Sequence, residues 1–299
     1  MKYLTLFLIA IILSSCCSTK RVVQNTPKKE VAQVVSENTK APETIETPIQ
    51  ETEQDVVEEE IIKVETPAPV DVIKIKEPET IIASPEAFNH TSWNTLLNTY
   101  VTKKGNVNYK GFKSNRKSLT NYISSLSKNM PTNTWSKEDK LAYWINAYNA
   151  MTIDLIVRNY PIQSIKDIKD PWKQRLWKLG SKWYNLDEIE HQILRKMNEP
   201  RIHFGIVCAS FSCPKLQNKA FTASNLESLL TNATKEFLSD SQRNNISENN
   251  IKLSKIFKWF AKDFKTRGSI IDFINNYSDI SVSNKAKKSF KDYNWDLNE

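Results

Sequence analysis

Leu141-Ala142-Tyr143-Trp144-Ile145-Asn146-Ala147-Tyr148-Asn149-Ala150-Met151-Thr152-Ile153-Asp154-Leu155 is the stretch on which the fold turns. Leu141, Trp144, Ile145, Tyr148, Met151, Thr152 and Leu155 recur at helical spacing, as one apolar face requires. Ser136 stands where an N-cap belongs, Asp139 follows three residues on, and Pro161 halts the pattern. The spacing predicts a central helix over 136–160. Tyr143, Asn146, Asn149 and Ile153 share another of its faces, and Asn is a weak helix former. Those amides either line a binding pocket or, more plainly, satisfy the backbone of a neighbouring loop.

Around this helix the chain alternates shorter signals. Helices are expected over 92–101 and 117–127, and a short strand at 107–109. Residues 182–184 suggest another strand, and Asn185 caps a helix over 186–197 with Glu188 at the box position. Ser224 and Glu227 suggest a capped helix running to about residue 238. Strands are expected at 251–253 and 292–298, with helices over 255–264 and 269–277. The sum is α+β: one helix-dominated globular domain with a small, mainly antiparallel sheet. It occupies residues 88–299, behind a disordered tail.

The chemistry concentrates in Arg201-Ile202-His203-Phe204-Gly205-Ile206-Val207-Cys208-Ala209-Ser210-Phe211-Ser212-Cys213-Pro214. Residues 202–207 have the β-branched, apolar look of a buried strand, which opens into a loop displaying Ser210, Ser212 and Cys213. On such a strand His203 and Cys208 point to opposite faces, so pairing them needs a bulge or the strand's end. Three readings of Cys208 and Cys213 stay open. They form a small-loop disulfide or stay as buried thiols; they act as a reactive thiol with a resolving neighbour; or they supply half a zinc site that needs two more ligands. Asp187, His191 and Arg195 are spaced i, i+4, i+8 on the expected helix. They form a solvated ion-pair stripe or, alternatively, a histidine base oriented by Asp187. No histidine follows Cys213, so a papain-like order is excluded. Arg201, like Arg195, is a candidate binding group.

The N-terminus reads as an address. After Lys2, residues 3–13 form an apolar run of a length that suits a signal peptide and falls short of the ~20 needed to span a bilayer. Leu13-Ser14-Ser15-Cys16 resembles a bacterial lipoprotein box, with residues 1–15 removed and Cys16 lipidated. Residues 16–87 read as a disordered acidic tether rich in Pro, Glu and Thr. Residues 18–90 hold 8 Lys/Arg against 15 Asp/Glu, whereas residues 91–299 hold 33 against 19, a balance of +14. A basic body on a membrane tether excludes nucleic acid as a partner. It suits anionic lipid or cell-wall polymer, beside the plainer role of a solubility surface.

Several motifs occur together and in order. They are Ser92-Trp93 with Leu96-Leu97, Trp144-Ile145-Asn146-Ala147-Tyr148-Asn149, Asp187-Glu188-Ile189-Glu190-His191, His203-Phe204, Cys208-Ala209-Ser210-Phe211-Ser212-Cys213-Pro214, and Ser254-Lys255-Ile256-Phe257-Lys258-Trp259. Over residues 90–265 the chain resembles the domain of unknown function 547 family. The resemblance implies an extracytoplasmic bacterial lipoprotein and no particular chemistry.

The leading expectation is a membrane-anchored, periplasm-facing envelope lipoprotein with a binding or scaffolding body. The alternatives are a thiol hydrolase or acyl transferase using a Cys–His pair, and a thiol–disulfide redox protein. No cofactor and no metal is expected; with five glycines and no phosphate-cradling motif, nucleotide chemistry is excluded.

Overall fold

Helix α4 (Lys137–Asn159) is buried on every side from Leu141 to Val157. The computed structural model describes residues 86–299, so the signal segment, Cys16 and most of the tether lie outside the described residues. Ser136 caps α4 by accepting from the Asp139 N–H, as its position predicts. Three helices precede it: α1 (Thr91–Tyr100), α2 (Tyr109–Ser114) and α3 (Arg116–Lys128). Trp93 of α1 stacks on Tyr122 of α3 at 5.4 Å, and Leu119, Tyr122 and Leu126 of α3 are buried in the same core. A helix buried all round must also neutralise its own charge. Asp154 does so by accepting from Arg158 Nε at 2.7 Å, Arg116 Nε at 3.0 Å and Trp177 Nε1 at 2.9 Å.

Strands β1 (Trp177–Leu179) and β2 (Lys182–Tyr184) form an antiparallel hairpin, turned at Gly180 with φ of 57°. The helix expected over 186–197 is not one α-helix. It begins as a single turn, α5 (Leu186–Glu188), loosens to a π turn over Ile189–Ile193 and tightens to a 3₁₀ turn over Leu194–Met197. Such changes of pitch concentrate at functional sites.

The strand expected at 202–207 is a correction. Residues Ile202–Gly205 make one helical turn, α6, and the chain becomes extended only at Ile206. Its partner is a side chain, not a strand. Asn149 Nδ2 donates to the Gly205 carbonyl at 2.9 Å, and its Oδ1 accepts from the Val207 N–H at 2.9 Å. A helical turn also sends Ile202 into the core around α4 and Phe204 into a second core.

That second core is a phenylalanine cluster. Phe204, Phe237, Phe257, Phe264 and Phe273 approach with ring centroids as close as 4.8 Å. It is built by α7 (Leu226–Ser239), β3 (Asn245–Ile246), β4 (Asn250–Leu253), α8 (Ile256–Trp259), α9 (Ala261–Phe264), α10 (Ile270–Asn275) and β5 (Lys287–Phe290). Strand β4 pairs antiparallel to β3 and parallel to β5. The fold class is therefore the expected one, helix-rich α+β with small sheets.

Local boundaries differ elsewhere. Residues 107–109 give one bridge, Val101 to Val107, before α2 starts. The helix expected over 255–264 breaks at Phe260. Asn225, not Ser224, precedes α7, because Glu227 is drawn away to Arg201. Residues 292–298 form isolated bridges to Ser164 and Ser210 instead of a strand.

Candidate functional site

The loop after α6 is closed by its own chemistry. Cys208 and Cys213 are joined as a disulfide, with Cα atoms 6.4 Å apart, inside the usual range. Ala209 between them has φ of 61°, the left-handed region that a residue with a Cβ seldom adopts. The Cys213 N–H bonds the Ser210 carbonyl at 3.0 Å, completing a tight turn. Arg243 holds the loop from behind, donating to the Cys213 carbonyl at 2.9 Å and the Phe211 carbonyl at 2.5 Å.

The far end of the chain then covers the loop. Phe211 N–H bonds the Asp296 carbonyl at 2.6 Å, Ser212 N–H bonds the Asn294 carbonyl at 3.2 Å, and Asn298 N–H bonds the Ala209 carbonyl at 3.1 Å. This lattice sets Tyr293 over the sulfurs. Its hydroxyl lies 3.2 Å from Cys213 Sγ and 3.4 Å from Cys208 Sγ. Ser210 Oγ lies 3.3 Å from Cys213 Sγ and 3.2 Å from Cys208 Sγ, and the Cys208 N–H donates to Cys213 Sγ at 3.1 Å. Burial pushes the Tyr293 hydroxyl up to about 12, against the opposing pull of Ser210 and Arg243, so it keeps its proton and can donate.

The disulfide lies in the wall of a cleft of about 640 Å³. Trp172, Trp259, Phe260, Tyr293 and Trp295 give the cleft its aromatic sides. Trp295 meets Tyr293 at 4.6 Å and Trp259 at 5.8 Å between centroids. Glu190 also lines it, buried, accepting from the Tyr148 hydroxyl at 3.0 Å. Burial and the Glu190 charge hold that tyrosine well above its ordinary value. A hollow of about 700 Å³ at the β3–β5 strands carries mainly Lys, Asn and Ser side chains and no cysteine or histidine.

One wall of the cleft is a relay of charges. His203 Nε2 lies 2.8 Å from Asp263 Oδ2, while Arg195 grips both Asp263 oxygens at 2.6 and 2.8 Å. Arg195 Nη1 donates to His191 Nδ1 at 2.7 Å, and His191 Nε2 lies 3.6 Å from Asp187. Arginine has no acceptor, so this contact requires an unprotonated His191 Nδ1. Burial alone raises the Asp263 carboxyl, but His203 and Arg195 outweigh it and hold the group far below the usual range. His203 stacks on Phe260 at 4.0 Å.

Of the residues singled out from sequence, Asp187, His191, His203, Cys208 and Cys213 line this cleft. Arg195 braces its wall and Ser210 sits under the disulfide. Ser212 Oγ accepts from the Asn294 N–H. The pocket-wall reading of the α4 face needs correction: Asn146 clasps both backbone groups of Phe221, Asn149 clasps the loop, and the Tyr143 hydroxyl bonds the Leu126 carbonyl. Arg201 is engaged by Glu199, Glu227 and Thr231. The strand geometry that set His203 against Cys208 no longer applies, since they stand on a helical turn and an extended segment. A Cys-nucleophile hydrolase needs a free thiolate, which neither sulfur supplies while the two are joined. Tyr293, Trp295, Asp263 and Glu190 went unread as site residues. Only the alternating Tyr293-Asn294-Trp295 spacing hinted at a shared face. Among the described residues no three His, Cys, Asp or Glu side chains converge as a metal cage.

No curated protein and no solved structure matches the chain. Residues 132–238 match the family model described as Protein of unknown function, DUF547. The matched span supplies α4, the disulfide loop, His191 and His203, while Asp263, Tyr293 and Trp295 come from beyond it. Residues 132–238 are therefore similar to the DUF547 family, and this segment holds the cleft's disulfide and both of its histidines.

Proposed function

We propose that this chain is a lipid-anchored protein of the bacterial envelope, periplasm-facing, whose folded body binds cell-wall glycan in the aromatic cleft. The observation that carries this reading is the cleft itself, an open groove with six Tyr, Trp and Phe side chains and a few polar groups, the composition of a ligand site. Sugar rings present flat C–H faces to Trp259 and Trp295, and their hydroxyls find acceptors in Asp187 and Glu190. Lys166, Lys169 and Lys173 at the same groove attract the carboxylates of a cell-wall polymer.

Two further features support the placement. The Leu13-Ser14-Ser15-Cys16 box offers a lipidation site, and multiple acyl chains give stable anchoring. The balance of +14 over residues 91–299 favours anionic surfaces over nucleic acid, which the envelope does not present.

The test is a titration of soluble muropeptides into the folded body, read by tryptophan fluorescence. Binding that Trp259→Ala weakens about tenfold supports the reading, an aromatic anchor being worth on the order of 1–2 kcal/mol. No fluorescence change and no retention on insoluble peptidoglycan overturns it. Mass spectrometry of the mature product tests the anchor, with an acylated residue 16 expected.

A further inference from the structure

We infer that Cys208 and Cys213 are a working redox pair that accepts two electrons from a dithiol, Cys208 being the sulfur attacked and Cys213 the sulfur that leaves. This activity is independent of glycan binding. The two sulfurs are not equivalent. Cys208 is partly exposed on the cleft, whereas Cys213 is 3 % exposed. An incoming thiolate therefore reaches Cys208. Three donors converge on Cys213: the Cys208 N–H at 3.1 Å, Tyr293 at 3.2 Å and Ser210 at 3.3 Å. A sulfur about to take up negative charge is served by such donors, and a leaving thiol of lower pKa leaves faster.

The step balances within the pair. A substrate thiolate bonds to Cys208 Sγ as the Cys208–Cys213 bond breaks, and the electron pair passes to Cys213 Sγ. Ser210 and Tyr293 each have one hydroxyl hydrogen to turn toward that charge. The substrate's second thiolate attacks its own sulfur in the mixed disulfide, Cys208 departs as thiolate, and the substrate leaves oxidised. Two electrons have moved to the protein, and the two substrate protons pass to the new thiolates or to water. Reverse exchange with a second disulfide restores the pair.

A purely structural bridge explains the site less well. The cross-link spans five residues, where restraint of the unfolded chain is smallest. The turn it closes is already made by the Cys213 N–H to Ser210 bond. A structural bridge also has no need of a cleft beside it or of a hydroxyl brought from 80 residues away.

The experiment mixes the oxidised folded protein with reduced dithiothreitol, then in separate arms with a two-cysteine peptide and with glutathione, alkylating at intervals. Reduction without unfolding is expected, and the faster arm separates a peptide from a small thiol as the source. Tyr293→Phe should shift the equilibrium with dithiothreitol about tenfold to a hundredfold toward the disulfide, the effect of one lost donor to a charged sulfur. Cys213→Ser should trap a mixed disulfide on Cys208 with an oxidised peptide, and Cys208→Ser should trap none. A bridge reduced only on unfolding, failure of both the peptide and glutathione arms, an unmoved equilibrium in Tyr293→Phe, or trapping on Cys213 overturns the inference. The wild-type arms decide the matter even where a cysteine variant does not fold.

Discussion

Replacing Asn149 with leucine removes the clasp that holds the cysteine loop to the central helix. Asn149 is 3 % exposed, and its amide serves the Gly205 carbonyl and the Val207 N–H, both at 2.9 Å. Leucine fills similar space and can serve neither. Each buried backbone group left unpaired costs about 1–3 kcal/mol, so the two together cost about 2–6 kcal/mol. A domain of this kind has about 5–15 kcal/mol in all. With a slope of about 2 kcal/mol per M urea, the unfolding midpoint should fall by about 1–3 M. Asn159→Ala is the control: this amide bonds only the Leu155 carbonyl one turn back on its own helix, and its loss should cost under about 1 kcal/mol. Amide exchange at Val207 should quicken in Asn149→Leu beyond the global loss of stability. A midpoint within 0.3 M of wild type, on the order of the method's error, would refute the reasoning.

Three other outcomes follow from the same geometry. Burial lowers His90 from 6.5 to about 4, with Asp139 opposing, so folding excludes a proton that the unfolded chain takes up. Stability is undiminished above pH 6.5 and falls as pH drops toward 4; unfolding free energies from urea titrations at pH 7.5 and 4.5 should differ by about 2.5 kcal/mol more in wild type than in His90→Gln. Asp263 has the opposite chemistry but the same direction. Its depressed carboxyl contributes above its ordinary value of 3.8 and is lost as pH falls below that. Asp263→Asn should cost about 2 kcal/mol at pH 7 and flatten the acid limb of unfolding, measured by circular dichroism. At Ala209, with φ of 61°, glycine should stay within about 1 kcal/mol of wild type in thermal unfolding, whereas valine should lose about 2 kcal/mol.

What was legible in the sequence was local. The α1, α3 and α4 stripes and the Ser136 cap depend on neighbours within a turn or two, and they stand as expected. Residues 202–207 misled because a short apolar run suits a strand or a buried helical turn equally. The arbiter, Asn149, lies 56 residues from Gly205. Its own purpose was legible only as a pair of alternatives, since a face of amides on a helix states a need for partners without naming them. Glu227 fits a capping box, yet Arg201 outcompetes the cap by offering a charged, bidentate partner. Residues 203 and 208, set on opposite faces by the expected strand, both line the cleft once the strand gives way to a helical turn. Asp263, which organises one histidine and one arginine from another segment, carried no local mark at all.

The Tyr293 and Trp295 wall has a consequence for how the protein is made. Synthesis runs in one direction, and both cysteines emerge well before the tyrosine whose hydroxyl reaches them. During that interval the two sulfurs lack the Tyr293 hydroxyl beside them. The turn between the cysteines is closed by the loop's own Cys213 N–H to Ser210 bond, so the pair can be brought together before the tyrosine arrives beside it.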